Sequence, residues 1–167
     1  SHRAYKANLP LRIGLMLLQT MALQRDIYEW CRDHRVHHKY SDTDADPHNI
    51  NRGFFFAHMG WLLVRKHPDV IEKGKTVDCS DLLEDPIVRF QRKYYIPLII
   101  LIWGIFPVVI PHYFWDEPWY WNIFQTVMFR YIYTLHMTWL VNSAAHMYGN
   151  KPYDTGIEPV EANCRIW

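Results

Sequence analysis

The sequence has no cysteine framework. Its three cysteines, Cys31, Cys79 and Cys164, are odd in number, lie far apart and form no C-x-x-C pair. That excludes a disulfide-stapled secreted fold and fits a reducing, cytosolic face. Net charge is lacking too: 18 Lys and Arg against 17 Asp and Glu leave +1, which argues against a nucleic-acid partner. No signal peptide opens the chain, whose first residue is Ser. This start, with the equally abrupt end at EANCRIW, leads us to expect an interior piece of a longer protein. Two carboxylate-based metal signatures are also missing. There is no Glu-x-x-His of the soluble di-iron bundles and no H-E-x-x-H of the zinc metalloproteases.

Apolar and aromatic residues are abundant. The chain has 167 residues, enough for one domain; 50% are apolar and 16% aromatic, with 8 Trp and 11 Tyr. Trp and Tyr concentrate at membrane interfaces. A mean hydropathy of −0.22 conceals this bias, because charge and apolarity are segregated along the chain.

Residues 96–114, IPLIILIWGIFPVVIPHYF, contain no Asp, Glu, Lys or Arg. As a helix they would reach roughly 28 Å, close to a hydrocarbon core of about 30 Å. Gly104 and Pro107 are tolerated in such helices. Tyr94, Tyr95, Trp115, Trp119 and Trp121 stand at the ends as interface anchors. WDEP, Trp115 to Pro118, reads as a tight turn. A second span follows at about 121–140; it carries Arg130 and His136 and is expected to face protein rather than lipid. A hairpin returns the chain to its starting side. Fifteen of the 18 Lys and Arg precede residue 94, so residues 1–93 and the chain after 141 are expected on the cytosolic side.

Before the hairpin, LPLRIGLMLLQTMALQ (9–24) has an apolar face through Leu11, Leu15, Leu18 and Ala22, with Pro10 suited to a first turn. It reads as an interfacial amphipathic helix or as a soluble core helix. DIYEWCRDHRVHH (26–38) continues as helix and KYSDTDADPHN breaks it. FFFAHMGWLLVRKH (54–67) reads as another interfacial helix, and residues 68–93 as charged and loop-rich.

Three histidines fall within five residues. On a helix, His34 shares a face with both His37 and His38, and imidazole is the commonest protein metal ligand. The same pattern also suits an unligated polar cluster. Asn142 and His146 are four apart at the cytosolic end of the second span, as a functional site or as a helix–helix hydrogen-bonding pair. His2 is a further candidate donor. A histidine-rich set able to hold more than one metal ion remains, and spacing does not choose between zinc and iron.

The stretches SHR, DHRVHHKYSDTDADPHN, RGFFFAHMGWLLVRKHPDV, FQRKYY and WLVNSAAHMYG together resemble the membrane acyl-CoA desaturases of the stearoyl-CoA (delta-9) type and their insect relatives. The likeness runs to about Pro159. It implies an all-α membrane protein: a transmembrane helical hairpin plus cytosolic and interfacial amphipathic helices carrying a histidine-box metal site. The whole would be a single desaturase domain, 1–167, truncated at both ends and part of a four-span fold. Its parts would be a cytosolic or interfacial 1–93, spans at about 94–114 and 120–141, and a cytosolic 142–167.

The resemblance also implies a multi-pass enzyme of the endoplasmic reticulum membrane with its metal site on the cytosolic side. It would hold two iron ions (Fe2+/Fe3+). It would use O2 and electrons from cytochrome b5, with its NADH-dependent reductase, to place a cis double bond, delta-9 or in a pheromone-type enzyme delta-11, into a fatty acyl-CoA. By residue-for-residue match, His2, His34, His37, His38 and His146 would be metal ligands, with Asn142 acting through a water. Arg32, Asp33, Arg65 and Lys66 match positions at the CoA end. Gln24, Trp30, Thr138 and Trp139 match positions lining the acyl tunnel. Arg25 departs from the Asn that many relatives carry there. His48, His58, His67, His112 and His136 match no ligand position and are expected to have structural or supporting roles. The first histidine of the first box would precede Ser1, and the third box would follow Trp167. Two other readings stay open: a catalytically inactive membrane fragment, and a histidine-box membrane hydroxylase, against which RGFFFAHMGWLLVRKH argues.

Overall fold

The structure, a computed structural model, describes residues 5–150, which are built of helices. His2 lies outside the described residues. The chain forms two compact units, one from residues 1–31 and 78–135, the other from 32–77 and 136–167.

In the first unit, α1 (Leu9–Ala22) starts where Asn8 accepts a hydrogen bond from the Leu11 amide and Pro10 occupies the first turn. It ends at Leu23, left-handed at φ 50°. Arg25 is left-handed too, at φ 73°. Asn tolerates that region better than a long side chain does. α2 (Ile27–Lys39) follows. Later come α5 (Ser80–Glu84) and α6 (Pro86–Lys93). The fully buried Gln91 of α6 joins three segments. Its Nε2 donates to Thr20 Oγ1 at 3.1 Å, and its Oε1 accepts from the Ile27 amide at 2.9 Å.

α7 (Tyr95–Trp115) is, among the described residues, the one helix long and apolar enough to cross a membrane. After a turn with Asp116 left-handed, α8 runs unbroken through Trp119–Asn122, Ile123–Phe129 and Arg130–Met147. Both carry a π-helical stretch, at Ile99–Ile105 and Ile123–Phe129. In the first unit α7 and α8 lie antiparallel. Asn122 Nδ2 donates to the Val108 carbonyl at 3.2 Å, and Trp103 meets Tyr131 edge-on at 5.5 Å. Pro107 has no N–H, so the Trp103 carbonyl loses its helical i+4 donor. The Arg130 guanidinium donates to that carbonyl at 3.2 Å and to the Met21 carbonyl of α1 at 3.3 Å. Arg130 therefore faces protein. Leu11, Leu15 and Leu18 of α1 remain exposed, so its apolar face is not spent on this chain's own core.

The second unit holds the later part of α2, α3 (Phe54–His58), α4 (Pro68–Gly74) and the last turns of α8. Val36, Ala57 and Val70 are buried there.

Two sequence expectations are corrected. The helix expected over 54–67 stops at His58, and only a short 3-10 turn, Gly60–Leu62, follows. Met59 leaves helical geometry at φ −139°, and Gly60 packs so close that an added Cβ would lie 3.1 Å from the Phe55 ring. The stretch 68–93, expected to be loop-rich, contains α4, α5 and α6. His67 with Pro68 and Asp85 with Pro86 start α4 and α6. These are short helices whose caps are local and whose apolar periodicity is too brief to stand out.

Candidate metal centre

All residues of this site belong to the second unit. α2 places His34, His37 and His38 on adjoining turns. The Nε2 atoms of His34 and His38 are 3.1 Å apart. Two imidazole nitrogens bound to one ion at about 2.1 Å each would stand at about this separation. His37, buried, meets His38 at 5.5 Å and His146 of α8 at 5.0 Å between ring centroids. The structure thus brings together four of the five matched histidines. Asn142, half-buried, precedes His146 by one turn of α8.

The loop after α2 supplies what the spacing of histidines did not reveal. Asp46 Oδ1 receives His37 Nδ1 at 2.8 Å, and Asp42 Oδ2 faces His146 Nδ1 at 3.3 Å. A carboxylate on Nδ1 fixes the imidazole tautomer and leaves the Nε2 lone pair for a metal. Asp46 is itself fixed. Its Oδ1 also accepts from the His48 amide and its Oδ2 from the Asp42 amide, both at 2.8 Å. Burial pushes the Asp46 carboxyl up, but His37 and these two amides outweigh it and hold it below the ordinary carboxylate range. The segment DTDAD reads in sequence as turn chemistry; its hidden signal is that its three aspartates all fall within eight residues of His38, and two of them, Asp42 and Asp46, meet box histidines.

His37, Asp46 and His48 present ligand-type atoms within 4.8 Å of one another. Both Asp46 oxygens are engaged by donors, so this group supports the box and is not itself a ligand set. His48 lies edge-on to Trp61 at 4.4 Å. Burial, then the nearby His37, push its imidazole down to about 4 against the pull of Asp46. It is neutral at pH 7. The residues fit a metal: four imidazoles gathered in one unit, two of them with a carboxylate on Nδ1. Asp42 Oδ1 is buried without a protein partner.

Of the residues matched to the CoA end, three form a network. Lys66 Nζ reaches Asp33 Oδ2 at 2.6 Å, and the Arg32 guanidinium reaches Asp33 Oδ1 at 3.0 Å. Burial raises the Asp33 carboxyl, yet Lys66 and then Arg32 prevail and hold it low. Arg65 is exposed beside them in sequence. Thr138 and Trp139 are half-buried on α8, in the same unit. Gln24 and Trp30 belong to the first unit, where both are half-buried.

The sequence profile of the fatty acid desaturase family matches residues 1–167. The chain is 61% identical over 161 residues to the Delta(9)-fatty-acid desaturase fat-6 of Caenorhabditis elegans, covering 96% of this chain and 48% of that protein. It is 61% identical, over 96% of itself and 45% of the relative, to the acyl-CoA Delta-9 desaturase of Acheta domesticus. To the stearoyl-CoA desaturase of Bos taurus it is 58% identical, with 96% and 45% covered. The chain spans about half the length of the curated relatives it matches.

Proposed function

The chain belongs to the fatty acid desaturase family, and on that premise we propose that it is part of an acyl-CoA desaturase that places a cis double bond at the delta-9 position of a saturated chain. The observation that carries this reading is the pair of carboxylate-backed histidines, His37 on Asp46 and His146 on Asp42, beside the His34–His38 pair. Support for the position of the bond comes from the names of relatives at about 60% identity, which are Delta-9 desaturases.

In this reading His34, His37, His38 and His146 hold two iron ions together with His2 and with histidines from the rest of the protein, and Asn142 contributes through a water. The bound irons supply the oxidising power that lets O2, two electrons and two protons remove two hydrogens from the acyl chain as water. The electrons would come from cytochrome b5. The chain's own residues do the rest. Asp46 and Asp42 orient the imidazoles. Arg32, Arg65 and Lys66 face the phosphates of the acyl-CoA, with Asp33 holding Arg32 and Lys66 in place. Gln24, Trp30, Thr138 and Trp139 line the acyl chain and exclude water.

We place α7 and the first part of α8 as a hairpin in the endoplasmic reticulum membrane, with the histidines on the cytosolic side. The concentration of Lys and Arg before residue 94 supports that orientation.

The test is expression of the complete protein in desaturase-deficient yeast, with gas-chromatographic analysis of the acyl chains. Growth without added unsaturated fatty acid and delta-9 products are expected. Delta-11 products would move the bond position, and hydroxylated chains alone would replace the reaction.

A further inference from the structure

The second unit contains another histidine pair that the metal site does not use. His58 of α3 and His136 of α8 meet through Nε2 and Nδ1 at 2.9 Å. His58 Nδ1 lies 3.0 Å from Ser143 Oγ, and Ser143 Oγ donates to the Trp139 carbonyl at 2.9 Å. Among the described residues neither imidazole pairs with a carboxylate.

The donors can be assigned by following the protons. Ser143 has one hydroxyl hydrogen, and it goes to the Trp139 carbonyl. Ser143 Oγ must then accept from His58 Nδ1–H. A neutral His58 that donates from Nδ1 accepts at Nε2, so His136 donates from Nδ1. The chain of hydrogen bonds runs one way, from His136 through His58 and Ser143 to the backbone of Trp139. The same two imidazoles meet the Trp139 indole edge-on, His58 at 5.8 Å and 76°, His136 at 5.2 Å and 75°. Phe54 stacks on His58 at 5.5 Å and 12°. Trp139 is thereby held twice, by its carbonyl and by its ring.

We propose that His58 and His136 form a clamp on Trp139 that sets where along the acyl chain the double bond is placed. They are positioning residues that determine specificity, without touching the metals. The proposal rests on the desaturase reading of Trp139 as a tunnel-lining residue. A large, flat indole held by two imidazoles defines one path for a bent chain. Releasing it lets the chain slide by a methylene and lets shorter and longer chains compete.

The complete protein in desaturase-deficient yeast provides the assay, with His136→Ala, His58→Ala and His136→Gln compared with the unmodified chain. Double-bond position is read by mass spectrometry, iron per chain by metal analysis, and KM and kcat in microsomes for acyl-CoAs of several lengths. For His136→Ala we expect unchanged iron content, at least a fivefold rise in off-position products, and an altered ratio of kcat/KM between chain lengths. His136→Gln keeps a donor for His58 and should restore much of the selectivity. A uniform loss of activity across all chain lengths with the product isomer unchanged would overturn the clamp. So would loss of iron in step with selectivity, or no change in any variant. Failure of the unmodified complete protein to desaturate would instead overturn the desaturase reading. His58→Ala that fails to fold leaves the His136 pair of variants to decide.

Discussion

Two histidine clusters occupy the same unit of this chain and differ in what stands behind them. In the box, His37 and His146 each turn Nδ1 toward an aspartate. In the α3–α8 pair, His58 and His136 turn toward each other and toward a serine. A carboxylate raises the basicity of an imidazole and fixes its tautomer for a metal. A histidine or a serine offers no such charge. The neighbour of Nδ1 is what differs: an aspartate for His37 and His146, a serine for His58 and the other imidazole for His136.

The largest expected effect breaks the box itself. His37→Ala in the complete protein should abolish desaturation and lower bound iron. Normal yield of unsaturated product would erase the distinction between the clusters. Next comes the carboxylate. Asp46→Asn keeps size and shape but removes the charge, and metal affinity should fall by about 10–100-fold, measured by competition with a chelator. An unaltered affinity would mean that Asp46 only shapes the loop. A smaller contrast lies in His58→Asn, which should leave iron per chain unchanged; a fall in iron would join the two clusters into one site.

The smallest effect concerns acid. Burial, then the neighbouring His136, push the His58 imidazole below its usual range. The unfolded chain therefore binds the proton first, near pH 6.5. The stability from a neutral His58 is fully present above that value and declines as the pH falls toward the lower folded pKa. Thermal unfolding of the complete protein in detergent should shift down slightly between pH 7 and 5.5. The shift should shrink in His58→Asn, and an equal shift in both would assign the acid sensitivity elsewhere.

Much of this was legible in the sequence because the signals were long or dense. Nineteen consecutive residues without charge mark α7, and WDEP marks the break before α8. H-x-x-H-H puts three histidines on adjoining faces of one helix, a pattern open to a metal or to an unligated cluster until the resemblance is added. What escaped was short or non-local. The helices α4 to α6 span too few turns for a period to emerge. Asp42 and Asp46 look like ordinary turn formers until the fold shows which imidazole each one meets. His58 and His136 lie 78 residues apart, and nothing in the order of residues announces their pairing.

The grip of Arg130 on the carbonyls of Met21 and Trp103 has a consequence for biosynthesis. Arg130 stands near the middle of the second proposed span, where a lone arginine disfavours entry into the bilayer by about 2.5–3.5 kcal/mol. Its three acceptors are all made before it: the carbonyls of Met21 on α1, of Trp103, which Pro107 deprives of its i+4 donor, and of Thr126 one turn earlier on α8. If the two helices form the proposed hairpin, these carbonyls are in place before the arginine is made. The second helix can then enter as the partner of the first, with its charge answered on arrival, so the proline that interrupts one helix eases the delivery of the next.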